Sequence, residues 1–517
     1  MTEPVKYGEY LVVSDKVRQV LGRKIDVPNP FTESGSESQM FDIGRFRQIV
    51  DQGRERLPAR YHQLYLSVLD EAIDQAEEAI AKGASKSKIF KQLTSIFSSL
   101  AQPIIQLDDE EYSLKAYLAV ISNCYRRFLE DDQARTKLQD SGYKAELDPL
   151  GFLVDSSDEP FTIKPTPELP IAFIAKPAQY ADFAPLFVVE GHEVGGHVLL
   201  SKIKGFSAEV KDLVQKAVRK SLHGDSLVSG VASLKVPRKP MFWQRPYKQV
   251  AVSTFMSETF ATWSMELFCD ACGVLNLGPA FVDGLILILA QTNRKGKLSR
   301  TSTFSLVNGI STHPFDHIRA MFCIEILKSL EFEGKESHIE ALEKRFLEAS
   351  GGALPEKMLW LNAISEPAIS VDLEDFRPLV QIAAQAICDS RLRSLTDRSM
   401  KDFMTWGNVD EATTGRLVKE LISGERDDDL VIEARHVVSA SLLAIESAAC
   451  SSQESGPDLA TFESAAALIN SRALDLLSEL YREQCLLCDS PVYGETRRQD
   501  LFRLEKLADL VNHPDRF

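Results

Sequence analysis

Between residues 188 and 200 the chain reads Val188-Val189-Glu190-Gly191-His192-Glu193-Val194-Gly195-Gly196-His197-Val198-Leu199-Leu200. Two histidines close together on one helix present imidazole nitrogens to a single metal ion, and a glutamate beside the first can take a proton from a water at that ion. On this reading His192 and His197 are zinc ligands and Glu193 is the general base. The familiar His-Glu-x-x-His pattern sets its histidines four apart on one helical face. Here they are five apart. An undistorted helix turns about 500° over five residues, which leaves the two rings about 140° apart. A π-bulge absorbs the extra residue, and such bulges collect at functional sites. Gly195 and Gly196 make the distortion cheap because they lack a Cβ. Elsewhere in a helix each would cost about 1 kcal/mol relative to alanine. The competing reading is an ordinary helix with two incidental histidines.

Upstream the texture changes between residues 143 and 177. Pro149, Pro160, Pro165, Pro167, Pro170 and Pro177 forbid long helices there. The short apolar pieces Gly151–Val154, Phe161–Ile163 and Ile171–Ile174 suit small strands. A long helix is then expected from Ala181 to Ile203. Apart from this stretch, most of the chain carries helical periodicity. From Phe41 to Ala84 apolar residues recur at three- and four-residue steps, as in Leu64, Leu66, Leu69, Ile73, Ala76 and Ile80. A second run covers Tyr112 to Glu130, and helix resumes after Ser370. Residues 34–38 (SGSES) read as a loop and Cys450 to Asp458 (CSSQESGPD) as a linker.

The expected fold is therefore mainly α, in the α+β sense. A helical N-terminal domain (1–142) precedes a zincin-like core with a small sheet (143–370), and a helical C-terminal domain (371–517) follows. A chain of 517 residues suits more than one domain. The net charge of −16 argues against a general nucleic-acid or membrane-surface binder, which needs positive charge to meet phosphates. No uninterrupted apolar run reaches membrane-spanning length. The first residues lack a basic leader with an apolar core, and eight cysteines spread over this length make no disulfide framework. A reduced, cytoplasmic protein is the expectation.

The hexapeptide His192-Glu193-Val194-Gly195-Gly196-His197 resembles the His-Glu-x-x-Gly-His motif of the dipeptidyl peptidase III family of zinc peptidases. Similar spacing occurs in the microtubule-type tyrosine carboxypeptidases, and both belong to the broader gluzincin group. The resemblance covers Pro170 to Leu327. It implies a third zinc ligand, a glutamate on a later helix. Glu258, in Phe255-Met256-Ser257-Glu258-Thr259-Phe260-Ala261, is the expected one because its Glu-x-x-Ala pattern looks like the second gluzincin helix. Glu266, two turns further on, is the alternative. The second dipeptidyl peptidase III motif, Glu-Glu-Cys-Arg-Ala-Glu, is absent, so the likeness bears on chemistry more than on substrate. Ser311-Thr312-His313-Pro314-Phe315-Asp316-His317-Ile318-Arg319 is similar to the Thr-His-Pro-x-x-x-x-Arg stretch of several gluzincins. That likeness implies that His313 or Arg319 faces the cleft to stabilise an oxyanion or bind a substrate carboxylate. The alternative is a helix N-terminus with Arg319 paired on the surface.

Three further features carry weaker signals. Residues 201–248 hold eleven Lys or Arg against three Asp or Glu, an excursion that either attracts acidic peptides or is a solvated face. Cys269-x-x-Cys272 and Cys485-x-x-Cys488 together suit a structural zinc site, although small buried residues at helical spacing are the commoner explanation. Glu433-x-x-His436 is half of a di-iron bundle motif without a second half. The combined expectation is a Zn2+-dependent peptidase acting on a peptide or protein substrate, with no nucleic-acid or membrane partner. Its rival is a non-catalytic helical scaffold or regulatory protein that retains a zincin-like metal site.

Overall fold

The computed structural model describes residues 7–27, 42–107, 114–130, 132–140, 147–155, 161–163, 165, 169, 171–198, 203–222, 233–237, 247–293, 296–305, 309–361, 367–427, 429–454 and 459–487. The chain is mainly α with small sheets. It divides into two compact units, each built from discontinuous segments, whereas the sequence pattern divides it into three stretches at residues 142 and 370. One unit comprises residues 20–129, 138–187 and 471–517; the other comprises residues 1–19, 130–137 and 188–470. Among the described residues no helix is long and apolar enough to cross a membrane.

In the first of these units the proline-rich stretch forms a three-stranded sheet. Strand Leu150–Val154 pairs in parallel with Phe173–Pro177, which pairs antiparallel with Phe161–Ile163. The third strand starts two residues later than its apolar run suggests and ends on Pro177. At Gly151 a Cβ would lie 2.5 Å from Ile121 and 2.6 Å from Tyr117, so the helix Leu114–Leu129 packs directly on the strand's backbone. The side-chain amide of Gln106 acts as a one-residue strand for that edge. It donates to the Leu153 carbonyl at 2.8 Å and accepts from the Leu153 N–H at 2.8 Å. This satisfies buried backbone groups that an unpaired edge would leave costly. The periodic run from Phe41 onward forms helices Ile43–Arg56 and Ser67–Ala81, whose Leu69, Ile73 and Ala76 are fully buried. Residues 34–38 lie outside the described residues.

The second unit is organised around the helix Val252–Leu277. Its last twelve residues are all buried, as its apolar composition on every side requires. Ser257, Thr259 and Ser264 bond carbonyls one turn back and so cost little. Gly278 ends the helix at φ +59°, and a Cβ there would lie 2.5 Å from the Trp406 ring. Pro279 then opens the next helix, Pro279–Thr292, at a position where no amide donor is needed. A four-stranded sheet, ordered 309–310, 301–305, 357–361, 367–372, carries Trp360 into an aromatic cluster with Trp263, Phe315 and Phe376. Downstream, helix Ala434–Glu454 extends into the expected linker, whose residues 455–458 lie outside the described set. Among the described residues, Glu433 and His436 belong to no cluster that could hold a metal. His436 Nε2 meets Asp410 at 3.0 Å, and Arg435 pairs with both Glu433 and Asp410.

One buried charge group in this unit has a pH signature. Arg345 pairs with both buried Asp283 and half-buried Glu446, so two carboxyls share one guanidinium largely shielded from water. Burial pushes the Glu446 carboxyl well above its ordinary value; Arg345 opposes this, while Asp283 reinforces it. A carboxyl whose pKa is raised on folding binds its proton more tightly in the folded chain. Its contribution to stability is therefore full below the unfolded value and is lost as pH rises through the folded one. Thermal unfolding of Glu446→Gln is expected to lose this decline between acid and alkaline pH, with a higher Tm than wild type at the alkaline end. An unchanged pH profile would remove the assignment.

Candidate metal centre

The histidine segment is not one long helix. It runs as 3-10 helix from Ala184 to Val189, α-helix from Glu190 to His192 and π-helix from Glu193 to Val198. The i→i+5 bonding of a π-helix brings the fifth residue back over the first. The His192 and His197 rings accordingly meet edge to face, with centroids 5.0 Å apart. The glycines have a second use beyond easing the distortion. A Cβ on Gly196 would lie 2.6 Å from Cys269 Cα, one on Gly195 3.0 Å from the Asn276 amide, and one on Gly191 2.9 Å from Gly273 Cα. The motif therefore rests backbone against backbone on the helix Val252–Leu277.

That close approach brings two carboxylates, one turn apart, against the rings. Glu266 Oε2 is 3.6 Å from His192 Nε2, and Glu266 Oε1 is 3.6 Å from His197 Nε2. These separations are too long for hydrogen bonds. Two donors each about 2.0–2.1 Å from a tetrahedral zinc ion stand about 3.4 Å apart, so the two imidazoles and the carboxylate suit one shared cation. Asp270, fully buried, occupies the other side of the first ring, 2.8 Å from His192 Nδ1. This partnership leaves Nε2 as the free donor towards Glu266, the arrangement by which an outer carboxylate orients a ligating histidine. Glu193 and His197 are half-buried.

Arg319 binds the back of Asp270, with Nε to Oδ2 at 2.8 Å and Nη2 to Oδ1 at 2.6 Å. Burial pushes Asp270 up, but the guanidinium outweighs it and holds the carboxyl down at about 2. The carboxylate is thus ionised and doubly engaged. Burial also pushes Glu266 up, yet the hydrogen bond from His313 and the neighbouring His192, His197 and Arg319 hold it below the usual carboxylate range. The hydrogen bond to Glu266 raises His313 against its own partial burial.

A third segment supplies His313. The Trp263 indole donates to the Ser311 carbonyl at 3.0 Å, and Phe315 lies edge-on to both Trp263 and Trp360. Between these anchors, His313 Nδ1 stands 3.2 Å from Glu266 Oε2 with 69% of its side chain exposed, on the solvent side of the cluster. The segment ends at the helix Asp316–Lys328, whose first turn carries Arg319.

The structure thus gathers His192, His197 and His313 around one carboxylate, and that carboxylate is Glu266; Glu193 follows His192 at the start of the π-helix. Glu258, expected as the third ligand, is exposed on the same helix. Eight residues carry a helix about 12 Å along its axis and about 80° round it, which takes Glu258 away from the rings. Arg319, expected at the cleft, is turned to Asp270 instead, because a buried carboxylate needs a cation more than solvent does. Sequence reasoning missed Asp270. Its signal was present: Glu266 and Asp270 stand four apart in a helix otherwise apolar all round, where each charge demands a partner. Cys269 was considered only with Cys272, as half of a separate structural zinc site, and not with the histidines. The ligand atoms of His192, His197 and Cys269 lie within 4.8 Å of one another. Burial pushes the Cys269 thiol well above its ordinary value. Cys272, one turn on, packs under Gly195. The Cys485 side chain and Cys488 lie outside the described residues.

The basic excursion contributes the helix Phe206–Ser221, with Lys211, Arg219 and Lys220 exposed and Lys216 paired to Asp212 at 2.6 Å. Residues 223–232 and 238–246 of that excursion lie outside the described residues. Comparison of the chain with protein-family models, curated proteins and solved structures finds no match.

The backbone contact at Gly196 gives a direct test of this geometry. Gly196→Ala places a methyl against Cys269 and is expected to cost about 1–3 kcal/mol in thermal unfolding and to weaken metal binding. Gly415→Ala, on an exposed helical face with open space around it, is expected to be neutral or stabilising by up to about 1 kcal/mol. Equal behaviour of the two variants would contradict the close approach.

Proposed function

We propose that this protein is a zinc-dependent peptidase of gluzincin type in which His192, His197 and Glu266 hold the metal. The observation that carries the reading is the placement of one buried carboxylate 3.6 Å from both imidazole Nε2 atoms, with Glu193 on the adjoining turn. Two nitrogens and one carboxylate are the donor set of a catalytic zinc site that keeps a position for water or substrate. When bound, zinc supplies Lewis-acid polarisation of a carbonyl and makes water acidic enough to ionise near neutral pH.

The chain's own residues do the rest. Glu193 follows His192 directly and is half-buried, so its carboxylate takes the proton of the attacking water and later returns it to the leaving amine. A purely structural metal site has no use for such a base. Asp270 fixes the tautomer and direction of the His192 ring, and Arg319 holds Asp270 ionised; both are positioning residues. His313, exposed above Glu266, is placed to meet the substrate's carbonyl oxygen or terminal carboxylate. Peptides or proteins are the proposed substrates. The buried thiols of Cys269, Cys272, Cys323 and Cys388 suit a reducing compartment, and we assign the protein to the cytoplasm on that basis.

Metal analysis and peptide-library cleavage of four proteins test this. Wild type is expected to hold one zinc per chain and to cleave. Glu193→Gln is expected to keep the zinc and to lose about 10²–10⁴-fold in rate. Glu266→Gln is expected to lose the metal, and Glu258→Gln to keep both metal and activity. Zinc retained without cleavage by wild type would favour the non-catalytic scaffold; no zinc in wild type would end the metal reading.

A further inference from the structure

We propose that Cys269 is a fourth protein donor to the metal at His192, His197 and Glu266, giving the reduced chain a closed form of the site in exchange with the open form that cleaves, so that wild type turns over below its full rate. This regulation rests on the metal reading above. Three placements argue for it.

The Cys269 Sγ and the imidazole nitrogens of His192 and His197 lie within 4.8 Å of one another. Cys269 follows Glu266 by three residues on the same helix, so thiol and carboxylate share the face turned to the histidines. Gly196 keeps the thiol against the bare backbone of the motif; a Cβ at that position would lie 2.5 Å from Sγ. Cys272, at the next turn, is packed under Gly195, so the pair does not chelate as a unit. Cys269 alone turns to the rings.

The consequence follows from zinc chemistry. A site with three protein donors keeps a position for water, whereas one with four is closed and structural. Thiolate is among the ligands zinc prefers, so a cysteine within reach competes with water for the last position. Glu193 then has no water to deprotonate while Cys269 is bound. Withdrawal of Cys269, or its replacement by a side chain that does not ligate, restores the three-donor site. The same chain thus contains both the catalytic arrangement and its own stop.

Cobalt(II) substitution of the full-length protein tests this without relying on activity. Wild type is expected to show a thiolate-to-cobalt charge-transfer band in the near ultraviolet, with one cobalt bound per chain. Cys269→Ser is expected to bind cobalt equally and to lose that band. Cobalt-loaded wild type without the band, or a band that survives in Cys269→Ser, would overturn the proposal and leave the two histidines and Glu266 standing. Failure of wild type to bind cobalt or zinc at all would overturn both. Because Cys269 is fully buried and its variant can unfold, X-ray absorption of zinc-loaded wild type provides an independent reading. Sulfur in the metal's inner shell is expected, and nitrogen and oxygen alone would refute it. On the supporting outcome, zinc-loaded Cys269→Ala also cleaves peptides faster than wild type.

Discussion

The carboxylate of Asp270 joins the three segments of the site, and the arrangement around it depends on that buried charge. It is fully excluded from water, meets His192 Nδ1 on one side and accepts two hydrogen bonds from Arg319 on the other. An isolated buried carboxylate would be prohibitively costly, so the two partners are conditions of the fold as much as of the chemistry. Arg319 ties the helix Asp316–Lys328 to the helix Val252–Leu277. His192 ties the π-helical segment to the same point. With one imidazole nitrogen committed to Asp270, the other is directed at Glu266.

Around this anchor the backbone does much of the positioning. The π-helix brings the His192 and His197 rings together across a five-residue spacing that an α-helix would separate. The glycines that permit the distortion also let it settle on the helix Val252–Leu277 without intervening side chains. Local geometry and tertiary packing thus place the same demand on the same residues. The aromatic cluster of Trp263, Trp360, Phe315 and Phe376 is a second support, because it fixes the segment from which His313 reaches Glu266.

The donor set has two possible outcomes. On the proposed metal reading, two imidazoles and Glu266 would make an open three-donor site beside Glu193, and Cys269 joining them as a fourth donor would close it. Glu266 and Cys269 lie one turn apart on a single helix, so both face the same two rings. From Glu266 onward that helix is buried on all sides, and opening or closing the site does not require it to refold.

Much of this was legible in the sequence. The hexapeptide specified His192, His197 and Glu193, and its spacing with two adjacent glycines implied the π-helical turn, since those are covalent facts about one short segment. The prolines delimited the three short strands, and three- and four-residue periodicity located the helices. Which carboxylate faces the two imidazoles was decided only by tertiary structure. Amphipathic periodicity shows which face of a helix is buried, but the part of Val252–Leu277 from Glu266 onward is buried on every side and carries no such mark. Only packing against Gly191, Gly195 and Gly196 sets its rotation and height. That contact selects Glu266 over Glu258, turns Arg319 to Asp270 and brings Cys269 to the rings.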